Sequence, residues 1–210
     1  MKLASTRRKI LLALAIGVAG LLAIPVAVTL IEAKQAREVA PLEPYASPTH
    51  ADVAVIYFSR SGNTALAARH VAARLSAQLI ELRSPDYELG LLGWAHAMVD
   101  ARGRDADITP TTLDLTGYET IYLGSPVWLY SPAPPIWAFV ERNRFDGKHV
   151  VLFNTINSEF GEDYIEAFRD AVLSRGARRF EHRFVRRGRM TQQIAPSEML
   201  DAIDAEWELD

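Results

Sequence analysis

VAVIYFSRSGNT, Val53–Thr64, is the stretch from which the rest of the chain can be read. Its first half, Val53–Phe58, is a short apolar run rich in β-formers, the composition of a strand buried on both faces. Its second half, Ser59–Thr64, packs three hydroxyls, an arginine, a glycine and an amide into six residues. Leu66, Ala67, Val71 and Leu75 then recur at helical spacing, which makes the polar run a strand-to-helix turn. Backbone N–H groups at a helix N-terminus favour an anion, and a phosphate can be held there without a lysine. The same residues also suit an ordinary cap, with Ser61 or Asn63 capping the helix and Gly62 making the turn. Neither G-x-x-x-x-G-K-[ST] nor G-x-G-x-x-G is present.

Strand and helix keep alternating on the C-terminal side. Strands are expected over 53–58, 78–82, 118–124, 148–155 and 180–185, and helices over 63–76, 91–102, 134–142, 162–174 and 196–207. Each parallel return needs a crossover, so the pattern implies an α/β domain with a doubly wound five-stranded parallel sheet. Ligands of such sheets lie beyond the carboxyl ends of the strands, at the topological switch point. Two further segments are expected to meet there. Gly124–Tyr130, GSPVWLY, offers a rigid proline and two large aromatics able to stack on a flat heterocycle or simply to cover the sheet end. Asn154–Ser158, NTINS, offers amides and hydroxyls able to bond a heterocycle's edge, although such residues are also common in turns.

The order strand, S-x-S-G-N-T, helix, strand, G-S-P-x-W resembles the flavodoxin-like family from about Asp52 to Leu209. The resemblance implies a sheet of order 2-1-3-4-5 that binds FMN. It implies that Ser59, Arg60, Ser61, Gly62, Asn63 and Thr64 form the phosphate loop. Pro126, Val127, Trp128 and Leu129 would then flank the isoalloxazine on one side, with Asn154, Thr155, Ile156, Asn157 and Ser158 on the other. In that family the flavin carries the chemistry, so no protein acid, base or nucleophile is required. A one-electron carrier and an FMN-dependent oxidoreductase both fit. The alternative is a flavin-free module that keeps the fold for binding or scaffolding, a reading supported by the absence of glycine from Asn154–Ser158.

A different segment stands in front of the domain. The first 50 residues hold six Lys or Arg and three Glu, which leaves 17 basic and 23 acidic residues for 51–210. A net charge of −3 for the chain argues against nucleic acid as its main partner. Lys2, Arg7, Arg8 and Lys9 precede ILLALAIGVAGLLAIPVAVTLI, Ile10–Ile31, which carries no charge. As a helix those residues span about 33 Å, enough for a hydrocarbon core of about 30 Å. A cleaved signal peptide has a shorter apolar region and a small-x-small site, and none follows this run. The expected organisation is therefore a basic N-terminus (1–9), a single-pass transmembrane helix (10–31), an extended linker (32–50) and the domain (51–210). The cations in front place the N-terminus in the cytoplasm and the domain outside it, with an electron-exchanging partner that the sequence does not name.

The chain has no cysteine, which excludes thiolate chemistry, disulfides and cysteine-ligated metals. Its five histidines (50, 70, 96, 149 and 182) lack ligand spacing. Seven arginines fall within 175–189. They suit a solvated edge strand guarded by charge, or an anion site for lipid headgroups or a nucleotide phosphate.

Overall fold

The structure is a computed structural model, described here for residues 2–39, 45–48, 50–189 and 192–209. Helix α1 (Lys2–Val39) is followed by β1 (Val53–Phe58), α2 (Asn63–Leu75), β2 (Gln78–Leu82) and α3 (Leu91–Asp100). Then come β3 (Thr120–Trp128), β4 (Ser131–Pro132), α4 (Pro134–Arg142), β5 (His149–Ile156), α5 (Glu162–Ser174), β6 (Arg179–Arg186) and α6 (Pro196–Glu206). The long strands are parallel in the order β2-β1-β3-β5-β6. Among themselves those five follow the expected order. The sheet differs from expectation in a sixth strand, the two-residue β4, which pairs antiparallel with the end of β3.

Period-two alternation splits the core into two layers. Ala54, Ile56 and Phe58 of β1 join Trp137, Phe139 and Phe168 of α4 and α5 on one face. Val55 and Tyr57 join Leu66, Ala68 and Val71 of α2 and Met199 and Ile203 of α6 on the other. Burial raises the Tyr57 phenol to about 12, so it stays neutral in its layer. Gly124 is required because a Cβ there would meet the ring of Phe153 at 2.3 Å and Tyr57 Cβ at 2.9 Å.

Two departures from the sequence reading shape the site. The GSPVW segment is strand through Trp128, not loop. Its pairing with β1 ends at Tyr57–Gly124, whereas pairing with β5 continues through Ser125–Asn154 and Pro126–Thr155. Asn154, Thr155 and Ile156 are accordingly buried residues of β5 rather than loop residues. The Asn154 amide donates to Ser125 O at 2.9 Å, and its Oδ1 lies 2.9 Å from His182 Nε2, so one side chain bridges β3, β5 and β6.

The second departure concerns the linker. Residues 32–39 are the last turns of α1, not extended chain. EAKQAREV is made largely of good helix formers, and Lys34 pairs with Glu38 one turn on at 3.6 Å. Glu32, Gln35 and Val39 are buried against the domain. Residues 40–44 of the expected linker lie outside the described residues. Beyond them, Tyr45 Oη donates to Ala77 O at 2.6 Å and Ser47 Oγ accepts from Leu79 N at 3.0 Å. Among the described residues no helix is long and apolar enough to cross a membrane. Many side chains of 10–22, within the expected span, lie outside that description.

Burial of His182 has a measurable consequence. Desolvation depresses its pKa to about 4, against an ordinary value of 6.5. The unfolded chain therefore takes up a proton between those values that the folded chain refuses, and stability falls as pH drops from 6.5 to 4. The shift corresponds to about 3 kcal/mol. His182→Gln keeps an amide donor for Asn154 but cannot titrate. Its thermal midpoint is expected to fall less over that interval than that of the wild type, by calorimetry at stepped pH. Parallel curves would show that His182 does not titrate on unfolding.

Candidate functional site

Beyond the carboxyl end of β1 the chain turns through Ser59–Gly62 into α2. Gly62 has a φ of 91°, in the left-handed region where glycine is not strained. Ser59 Oγ accepts from Gly62 N at 3.2 Å. No side chain caps α2, so neither Ser61 nor Asn63 plays the capping role open to it in the sequence. Asn63, the first helical residue, instead accepts from Arg187 Nε at 3.2 Å through Oδ1. Thr64 Oγ1 lies 2.7 Å from Thr155 Oγ1, which ties the start of α2 to β5.

A cavity of about 210 Å³ opens at this turn. The first segment contributes Ser59, Arg60, Ser61, Asn63 and Thr64 to its wall, and the β3 end contributes Pro126, Val127, Trp128 and Leu129. Thr155 and Asn157 represent the third segment. The structure thus brings three separate stretches of sequence to one place. Gly62, Asn154, Ile156 and Ser158 are not part of the wall. Gly62 turns toward α1, where a Cβ would meet Val39 Cγ2 at 2.3 Å, and Ile156 is buried in the sheet.

Several wall residues escaped the sequence reading: Glu32 and Gln35 from α1, Trp94, Ala97 and Met98 from α3, Gln193, and Arg187. Nothing in their spacing links them to the loop, because they approach it only through packing. Arg187 was within reach, as one of the seven clustered arginines. The cluster divides in the structure. Arg179 and Arg183 pair with Glu181 at 2.6 and 3.3 Å along the charged edge strand, and Arg175, at the end of α5, pairs with Glu141 of α4. Arg187, just past that strand, is buried at the cavity.

The electrostatics of the wall come from three ionisable residues, Arg60, Glu32 and Arg187. Arg60 and Glu32 form a buried ion pair, and Arg60 Nη2 also donates to Gly90 O at 3.2 Å. Arg60 Nε, Glu32 Oε2 and Arg187 Nη1 are buried without a hydrogen-bond partner among the described residues. Burial lowers the pKa of Arg187, an effect that Glu38 and Glu198 oppose. With two cations, one anion and the positive end of the α2 dipole, the wall has a net positive character, which favours an anion.

The aromatic wall is also held from behind. Trp128 packs edge-on against Phe58 and Tyr87, with ring centroids 5.7 and 5.2 Å apart. Tyr87 is fixed in turn by its hydroxyl, 3.3 Å from Asp100 Oδ2. Trp128 therefore covers the sheet end and lines the cavity at once. Leu129 and Tyr130, which turn the chain from β3 into β4, have φ of 42° and 78°. Left-handed backbone at both positions of a two-residue hairpin is the habit of Asn and Gly. Its cost here, of order 1–3 kcal/mol per residue, is carried at the edge of the cavity, as strained backbone often is at functional sites.

The flavodoxin family model matches residues 52–176, more than half of the chain, and the chain belongs to that family. No curated protein matches it. Among solved structures, it is similar to a proposed flavoprotein from Bacteroides uniformis ATCC 8492, at 20% identity and a TM-score of 0.56. That match covers 74% of this chain and 99% of the other. A flavoprotein from Lactobacillus acidophilus NCFM, solved in complex with FMN, is 20% identical with a TM-score of 0.51. Here 63% of this chain and 93% of the other are covered. These likenesses establish the α/β flavodoxin-like fold.

The packing of α1 onto Gly62 gives a direct test. Gly62→Ala is expected to destabilise the protein by about 1–2 kcal/mol from left-handed backbone alone, and further through the collision with Val39. In a Val39→Ala background the collision is relieved, so the same substitution should cost less. Denaturant melts of the four proteins measure the difference, and equal costs in both backgrounds would show that α1 does not bear on Gly62.

Proposed function

We propose that the chain is a flavoprotein that binds FMN at this cavity and exchanges electrons through it. The observation that carries the reading is the pair of buried, partly unpartnered guanidinium groups at the uncapped start of α2, beside an aromatic wall. Such a site suits a ligand with an anionic tail and a flat ring system, and FMN is the ligand of the Lactobacillus structure of similar fold.

In this reading Ser59, Ser61 and Thr64 supply hydroxyls to the phosphate, the backbone at the start of α2 supplies N–H groups, and Arg60 supplies charge. Pro126, Val127, Trp128 and Leu129 face one side of the ring system, and Thr155 and Asn157 offer polar groups to it. The flavin supplies one- and two-electron redox chemistry when bound. The protein's part is to hold it, to exclude water from its apolar faces and to set its electronic environment. Glu32 serves by keeping Arg60 directed into the site.

The N-terminal segment is proposed as a single-pass membrane anchor over 10–31, with the N-terminus in the cytoplasm and the domain outside it. Support comes from the uncharged run, from the four cations before it, and from Leu11, Leu12, Ile24, Val26 and Leu30, which are exposed on α1 rather than packed against the domain. Because α1 also lines the cavity, the anchor and the flavin site belong to one helix.

The full chain, purified in detergent and incubated with FMN, is expected to acquire a flavin visible spectrum with quenched fluorescence. Trp128→Ala should weaken binding by ~1–3 kcal/mol, by analogy with aromatic stacking on nucleobases. Absence of FMN binding would support the flavin-free scaffold instead. For topology, a reporter active only after export, fused behind Asp210, should be active, and alkali washing should leave the chain in membranes. An inactive reporter would reverse the orientation, and release by alkali would remove the anchor.

A further inference from the structure

Arg187 is placed by backbone on both sides. Its N–H donates to Ile156 O at 2.9 Å, continuing the β5–β6 ladder by one step, and its carbonyl accepts from Ile194 N at 3.1 Å. The residue is 4% exposed. Its Nε is spent on Asn63, while Nη1 is buried with no partner among the described residues. A guanidinium stays protonated even when buried, so this is a desolvated cation with an open donor. Arg60 has Glu32 as counter-ion; Arg187 forms no ion pair among the described residues.

A ligand is the natural completion of such a group. Hydroxyls and backbone N–H groups bind neutral and anionic oxygens with modest discrimination, whereas a charged donor in a dry site strongly prefers an anion. Its link to Asn63 puts it at the start of α2, where the helix dipole adds to the same preference.

We propose that Arg187 binds the phosphate monoester of the flavin nucleotide and sets the preference for FMN over the unphosphorylated flavin. This rests on the flavin reading above and adds to it a specificity residue supplied from the far end of the sheet. Asn63 acts as its positioning residue, holding Nε at the wall of the cavity that Arg187 lines.

The test uses the full chain in detergent, titrated with FMN and with riboflavin and followed by flavin fluorescence. Arg187→Met, of similar reach and without charge, is expected to lower FMN affinity roughly 10- to 100-fold, the range for a hydrogen bond to a charged group. Riboflavin affinity should change by less than about twofold, and inorganic phosphate should compete with FMN less well than in the wild type. Arg187→Lys, which keeps the charge without the fork, should fall between the two. If folded Arg187→Met protein, judged by circular dichroism, keeps the wild-type ratio of FMN to riboflavin affinity, the inference is overturned while the flavin reading stands. Should that variant fail to fold, Arg187→Lys decides: a lowered ratio supports the assignment and an unchanged one overturns it. A wild type that binds neither flavin overturns both.

Discussion

Two guanidinium groups, those of Arg60 and Arg187, are taken out of water at the carboxyl end of the sheet, and the surrounding architecture follows from that expense. Desolvating a charge costs several kcal/mol unless something answers it. Arg60 is answered by Glu32, which obliges the last turns of α1 to lie on the domain. Arg187 is answered in part by Asn63, which ties the segment after β6 to the start of α2. The turn after β1 and the segment after β6 are thereby joined by a polar contact that the core alone would not require. Both arginines line the cavity.

The aromatic side of the site obeys a different logic. Trp128 can present a face to the cavity because Phe58 and Tyr87 hold it edge-on, the favoured geometry of aromatic pairs. Phe58 is the last residue of β1, immediately before Ser59, so one position begins the polar loop and supports the aromatic wall. The extension of β3 past the end of β1 is what exposes this wall. Beyond Gly124 the pairing with β1 stops, β5 accompanies β3 as far as Pro126, and β4 pairs with Val127 and Trp128. The strained turn at Leu129 and Tyr130 then folds the chain back through β4 into α4.

Polar groups buried beneath the site are arranged to remain uncharged or paired. Asn154 satisfies Ser125 and His182 together, and the desolvated imidazole stays neutral there. These residues fix how three strands lie relative to one another, and the cavity is lined by their sequence neighbours Pro126 and Thr155. In Asn154–Ser158 the split follows the pleat: alternate residues point to opposite faces, so Thr155 and Asn157 reach the cavity and their neighbours do not.

The sequence by itself determined what local pattern can determine. The apolar run of Val53–Phe58, the helical spacing behind it and four later repetitions of strand and helix specify a parallel sheet, and the bounds of α4 and α5 follow from Pro134 and from the amphipathic period of 162–174. The Ser59–Thr64 turn was legible because a hydroxyl-rich run after a buried strand has few other uses. Tertiary structure decided the rest. Whether Gly124–Trp128 is loop or strand depends on β5 beside Gly124–Pro126 and on β4 beside Val127 and Trp128, which no local preference encodes. Residues 32–39 read as a polar linker because the buried partner of Glu32 is Arg60, 28 positions away. Among seven similar arginines, only the backbone path past β6 separates the one that is buried at the cavity from those that pair along an exposed edge. The physical reason is common to these cases: burial of a charge is a property of two segments brought together, and a sequence shows only one segment at a time.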